Sequence, residues 1–157
     1  MADKAMGNIS VSILQDEIKT AMGGDLAYEP ADSDDKWIFA EINVTTSSGD
    51  LLPVRDYLGT STQTTTSDKI RWICVKNLST SSTDGVCICL AGETAAYNLA
   101  NGIYIGAGEM ITFKATNTTL ANLHAVSVTM DGTYGYPSAA GTKTVPVQIA
   151  AIIEDVA

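Results

Sequence analysis

The stretch NLANGIYIGAGEMITFK, residues 98–114, decides how the chain is read. It holds Gly102, Gly106 and Gly108, with Gly92 just upstream. Clustered glycines of this kind build either a phosphate-binding loop or a turn between strands. A phosphate loop sets them between a strand and a helix N-terminus, where helix amides face the anion. Here GAGE runs into MITFK, which is β-branched and aromatic, and the Lys-Ser/Thr pair of a P-loop is missing. The stretch therefore reads as two short strands, GIYI and EMITFKA, joined by a tight turn in which glycine accepts positive φ.

The same texture extends outward on both sides. KWIFAEINV places Ile38, Ala40, Ile42 and Val44 on one face, with Trp37 and Phe39 opposite. LLPVRDYL reads as a short strand that Pro53 confines to an edge or a strand start. KIRWICVKNL is a strong strand, STSSTDG a polar turn, and VCICLA its expected hairpin partner. NLHAVSVTM and TVPVQIAAIIEDV follow. The last is apolar on both faces, which suits the centre of a sheet. About eight strands separated by Gly, Ser, Thr and Asn turns predict an all-β domain over residues 36–157, an antiparallel β-sandwich or jelly roll. No long helical period supports a doubly wound α/β fold.

Residues 1–35 read as a separate arm. In ISVSILQDEIKTAMGGD, Leu14, Ile18 and Met22 recur every four residues, which predicts one short N-terminal helix. Ser12 with Gln15 fits a capping box, and Gly23-Gly24 a left-handed stop. So short a helix is unstable alone. Its apolar stripe, together with Ile9 and Val11, is expected to dock on its own domain or on a neighbouring subunit. DLAYEPADSDD then reads as an acidic linker.

Composition narrows the function. The 157 residues carry eighteen acids against nine bases, a net charge of −9, so phosphate backbones are repelled and no nucleic-acid partner is expected. Hydrophobic residues make up 45 %, enough for a core without metals or disulfides. No apolar run reaches the roughly 18 residues that span a bilayer, so no membrane partner is expected. MADKAMGNIS lacks the order of a secretory signal, and three cysteines cannot all pair within one chain. Folding in a reducing cytoplasm is the expectation.

Candidate chemistry is sparse. Cys74, Cys87, Cys89 and His124 contain the donors of a Cys₃His zinc site. Cys-x-Cys within a strand is not knuckle spacing, however, and small core thiols are the simpler reading. His124 is the only histidine, and no Gly-x-Ser-x-Gly nucleophile turn accompanies it. Asp25, Glu29, Asp32, Asp34 and Asp35 lack EF-hand spacing. Glu93 and Glu109 have no pattern that pairs them as a glycosidase dyad. No catalytic residue, metal or cofactor is expected. The Asn-x-Ser/Thr sites at Asn8, Asn43, Asn77 and Asn117 are expected to be unused. Tyr134 and Tyr136, in the long loop DGTYGYPSAAGT, suit contact with a partner or a sugar, or folding back onto the sheet.

Over residues 68–156, the order KIRWICVKNL, polar loop, VCICLAGETAAYNLANGIYIGAGEMITFK, NLHAVSV and VPVQIAAIIEDV resembles small β-sandwich virion structural proteins of tailed bacteriophages. The resemblance implies a non-enzymatic protein that decorates or cements a capsid, or else a tail, neck or fibre subunit. It implies the major capsid protein or other virion proteins as partners, a homo-oligomer such as a trimer, and a place on the outer capsid surface after assembly in the host cytoplasm. Ile9, Val11, Leu14, Ile18 and Met22 of the arm, with Tyr134 and Tyr136, are then the expected contact residues. Two rivals remain. One is a carbohydrate-binding module that uses Trp37, Tyr134 or Tyr136. The other is a cupin-type enzyme, which needs a histidine cluster that one histidine cannot supply.

Overall fold

The computed structural model describes residues 5–15, 18–30, 35–53, 64–91, 102–115, 117–131 and 137–156, and of 11–15 and 18–22 the backbone alone. These residues form eleven strands. They are β1 (Ala5–Gln15), β2 (Ile18–Tyr28), β3 (Lys36–Val44), β4 (Gly49–Asp50), β5 (Lys69–Asn77), β6 (Asp84–Cys89), β7 (Ile103–Ile105), β8 (Met110–Lys114), β9 (His124–Met130), β10 (Pro137–Ala140) and β11 (Val145–Glu154). The helical element among them is a three-residue 3₁₀ turn, Leu120–Asn122.

All pairing is antiparallel. One sheet has the order β3-β11-β5-β8, the second β10-β9-β6-β7 with β4 also on β9, and β1 pairs only with β2. Alternation along each strand sends one set of residues inward. Both sheets feed a single apolar cluster: Ile38 and Ala40 of β3, Ile73 and Val75 of β5 and Ile149 and Ala151 of β11 join Val86, Ile88, Ile105 and Ala125 of the second sheet. Each fully buried isoleucine there contributes about 1.5–3 kcal/mol.

Strand β11 runs between β3 and β5, as its doubly apolar sequence predicts. Ile149 is buried toward the shared core. Ile152, three positions along and on the opposite face, is buried in a separate cluster with Trp72 and Ala5. That outer cluster is why β11 needs no polar face.

The glycine stretch is a tight turn between two strands. Gly108 has φ +74°, the left-handed conformation that glycine adopts without strain. Glu109 donates its amide to Gly106 O at 3.1 Å, and its side-chain Oε2 accepts the Gly106 amide at 2.6 Å. The two strands do not pair with each other, however. Strand β7 lies on β6 and β8 on β5, so the turn carries the chain from one sheet to the other.

Three expectations are corrected. The segment expected to be a helix is an antiparallel ribbon, with register from Ala5↔Tyr28 to Gln15↔Ile18. Its sequence shows why. Ile9, Val11 and Ile13 alternate with Asn8, Ser10 and Ser12, a period of two, and β-branched side chains lose rotamer freedom in a helix. The fourfold spacing of Leu14, Ile18 and Met22 is an accident of position, because Leu14 lies on β1 and Ile18 and Met22 on the antiparallel β2. Second, β5 and β6 are not a hairpin. The strands lie in different sheets and residues 78–83 join them, so that both strands can turn an apolar face to the same core. Third, LLPVRDYL does not begin as a strand: Leu51 and Leu52 follow β4 as a bend and are buried in the core. Residues 54–58 of that stretch lie outside the described residues.

Candidate functional site

The two-sheet body is locked by side chains at three corners. Asn77, buried at the end of β5, donates Nδ2 to Asp84 O at 3.1 Å and Ile105 O at 3.3 Å, and accepts the Ser79 amide at 2.9 Å. It thereby joins β5 of one sheet to β6 and β7 of the other. Because its amide is consumed inside the fold, Asn77 is closed to modification. Sequence reading singled it out only as an Asn-x-Ser site, and no local signal marks the bridging role.

The second corner is a buried ion cluster. Lys36 Nζ lies 3.0 Å from Asp68 Oδ2 and 3.1 Å from Asp155 Oδ1. Asp68 also accepts the Thr65 amide, the Thr65 hydroxyl and the Val156 amide. Burial pulls the Lys36 amine down, but the hydrogen bonds and charges of Asp68 and Asp155 outweigh it and raise the pKa above the ordinary lysine value. Burial likewise pushes Asp68 up. The Thr65 hydrogen bonds, Lys36 and the Val156 amide outweigh that and hold its carboxyl below the usual range. Both shifts fix the charged forms, so the cluster is a clasp for the start of β3, the turn before β5 and the C-terminal end.

The third corner contains the histidine. His124 Nε2 sits 3.1 Å from Ala121 O and 3.3 Å from Asp50 Oδ1, and Nδ1 meets Ser48 Oγ at 3.5 Å. The Ser48 contact is at the outer limit of a hydrogen bond. The imidazole ties the β4 segment to the 3₁₀ turn and β9. A neighbouring cleft of about 180 Å³, lined by Thr45, Gly49, Asp50 and Ala125, is smaller than the roughly 300 Å³ at which small-molecule pockets begin. A second cleft, beside Asp84 and Lys143, measures about 200 Å³.

The cysteines are dispersed. Cys74 lies on the outer face of β5, whereas Cys87 and Cys89 lie on β6 of the other sheet. Burial pushes the Cys74 thiol up, away from the thiolate that a metal requires. Among the described residues, no three His, Cys, Asp or Glu side chains come together as a metal site.

The ribbon is the element with no counterpart in the body. Its base rests on the outer face of the first sheet, where Ala5, Leu26 and Tyr28 pack with Trp72, Ile152 and Trp37. A Cβ at Gly7 would stand 3.5 Å from Thr112 Cγ2, above β8. One step further along, a Cβ at Gly24 would have no neighbour within 4 Å. Ile9, in the same alternate set as Ala5, is 44 % exposed. The ribbon therefore leaves its own sheet after Gly7 and Leu26.

Searches of family models, curated proteins and solved structures return no match to this chain. The site must be read from its own geometry. Register assigns Ile9, Val11, Ile18 and Met22 to the same alternate set as buried Ala5, because Val11 pairs with Met22 and Gln15 with Ile18. Leu14 pairs with Lys19 and belongs to the other set. A helical reading grouped Leu14 with Ile18 and Met22; the strand separates them. It also adds Ile13, Leu26 and Tyr28 to the apolar set. Tyr134 and Tyr136 lie outside the described residues. Trp37 packs against the Trp72 cluster under the ribbon, so it is not presented as an open stacking platform.

Proposed function

We propose that this protein is a non-enzymatic structural subunit, a β-sandwich of jelly-roll type that decorates or cements the capsid of a tailed bacteriophage. The observation that carries the reading is a clasped two-sheet body from which an amphipathic ribbon extends past its own sheet. Such a body supplies rigidity, and such a ribbon supplies contact.

Strand order supports the finer fold. With the ribbon and short β10 set aside, the remaining eight strands counted from β3 run 1-8-3-6 in one sheet and 2-7-4-5 in the other. That order interleaves two Greek keys, the pattern of a jelly roll. Jelly rolls serve viral capsids, lectins and cupins, so the fold does not choose among them. The site does. A cupin needs several metal-binding histidines, and this chain has one. A lectin reading falls on Tyr134 and Tyr136, outside the described residues. The capsid reading uses the ribbon, which the other two leave without a role. A charge of −9 favours the outside of a shell filled with DNA.

Quantitative mass spectrometry of purified particles tests this reading. A decorating protein is expected at a copy number comparable to that of the major shell protein. A handful of copies per particle would move the protein to the tail, neck or fibre. Absence from particles would refute the proposal.

A further inference from the structure

We infer that the free edge of β3 pairs with the same edge of a second copy of this chain, antiparallel and two-fold symmetric about Phe39, so that the four-stranded sheets of two copies join into one. Such a dimer goes beyond the structural role proposed above and does not depend on it.

Proteins blunt a free sheet edge by keeping it short, by breaking it with a bulge or proline, or by setting a lysine along it. The edge strands of the second sheet, β7 and β10, have three and four residues, and β10 begins at Pro137 and carries a register shift. Strand β8, at one edge of the first sheet, has five. Strand β3, at the other edge, has nine, contains no proline, and keeps unbroken register with β11 from Lys36 to Val44. Its two charged residues do not guard it. Lys36 is buried in the clasp with Asp68 and Asp155, and Glu41 accepts a hydrogen bond from Gln148 Nε2 at 3.3 Å, back over its own sheet. Among the described residues, no strand lies on the outer side of β3. The ribbon runs the other way, since Gly7 already stands above β8. Phe39, on the outer face of β3, is 56 % exposed.

The chemistry beside this edge selects the occupant. Ile38, Ala40 and Val44 belong to the core and Ile42 packs against it, so an added strand must also send branched and small apolar residues inward. The cleft of about 180 Å³ beside the strand has Ile42, Val44, Leu51 and Ala125 in its wall and leaves room for them. A second β3 carries that inward set at the same period. Both faces continue only if odd residues meet odd residues. Centring the pair on Phe39 sets it against the partner's Phe39, an aromatic cross-strand pair, and sets Ile38 against the partner's Ala40. Glu41 then faces the partner's Trp37, and the two Glu41 residues stand roughly 13 Å apart along the strands. That exceeds the roughly 8 Å screening length at physiological salt. Centring on Ala40 would halve the separation, and centring on Glu41 would oppose the two carboxylates. Centring nearer Lys36 would shorten the overlap.

Sedimentation equilibrium of the purified full-length protein, without particles, tests the pairing. The wild type is expected to be a dimer. Phe39→Lys and Phe39→Glu each place like charges across the two-fold axis, and each is expected to weaken dimerisation about fivefold. The thermal midpoint of the diluted monomer is expected to hold, because Phe39 is exposed. An equimolar mixture of the two variants is expected to recover the association as a heterodimer with Lys opposite Glu. A monomeric wild type, or a dimer indifferent to both substitutions, would overturn the inference while leaving the particle test untouched. A mixture no tighter than either variant alone would overturn the register about Phe39.

Discussion

The two-sheet body and the N-terminal ribbon are both antiparallel β-structure, but different contacts hold them. In the body, two sheets bury a common core, and Asn77, the Lys36–Asp68–Asp155 cluster and His124 lock its corners. The ribbon has its own ladder and one docked end. Backbone pairing alone therefore does not set stability. A ladder exchanges hydrogen bonds with water for hydrogen bonds with itself at little net gain, so the covering of its apolar face decides.

The largest effect that would test this contrast lies in the ion clasp. Asp68→Ala removes the buried carboxylate 3.0 Å from the Lys36 amine, and is expected to cost about 3 kcal/mol in urea denaturation at neutral pH. The pH dependence follows from the direction of each shift. Asp68 is lowered, so its contribution is full above about pH 4 and is lost as pH falls through its folded value. Lys36 is raised, so its contribution is full below about pH 10 and is lost as pH rises through its folded value. The gap between wild type and Asp68→Ala should therefore close in acid. A gap that stayed constant to pH 2 would show that the clasp is not electrostatic.

A smaller loss is expected from Asn77→Ala. It strips donors from the carbonyls of Asp84 and Ile105, at a cost of about 2 kcal/mol. If the two sheets then melted in separate transitions by calorimetry, Asn77 would be the joint between them rather than a satisfied polar residue within one cooperative unit.

The smallest effect belongs to the ribbon. Ile9→Ser should change the stability of the body by no more than about 0.5 kcal/mol, since Ile9 lies beyond the docked end. In hydrogen exchange, amides of β11 should open only with global unfolding, while the outer ribbon exchanges by local opening. Equal protection in a monomer would erase the distinction between the two regions.

How much of this was legible beforehand differs by element. The alternation in KWIFAEINV placed Ile38, Ala40 and Val44 in the core, and the doubly apolar VPVQIAAIIEDV marked the central strand. The GAGE turn was legible because Gly108 needs a conformation that few other residues adopt. The ribbon was misread because two periods coexist in it, and the fourfold one spans the chain reversal. The partner of KIRWICVKNL was misread because a strand carries the same inward alternation whether its neighbour in sequence pairs with it or faces it across the core.

The residue pattern alone established that this protein is β-built, where most of its strands lie and which of their residues are buried, because burial follows from local period and chemistry. Which strands pair, that the glycine turn passes between sheets, that Asn77 and Lys36 bind distant segments, and that the ribbon outruns its own support became visible only in three dimensions. Those properties depend on contacts between residues far apart in the chain, and no window of neighbouring residues carries them.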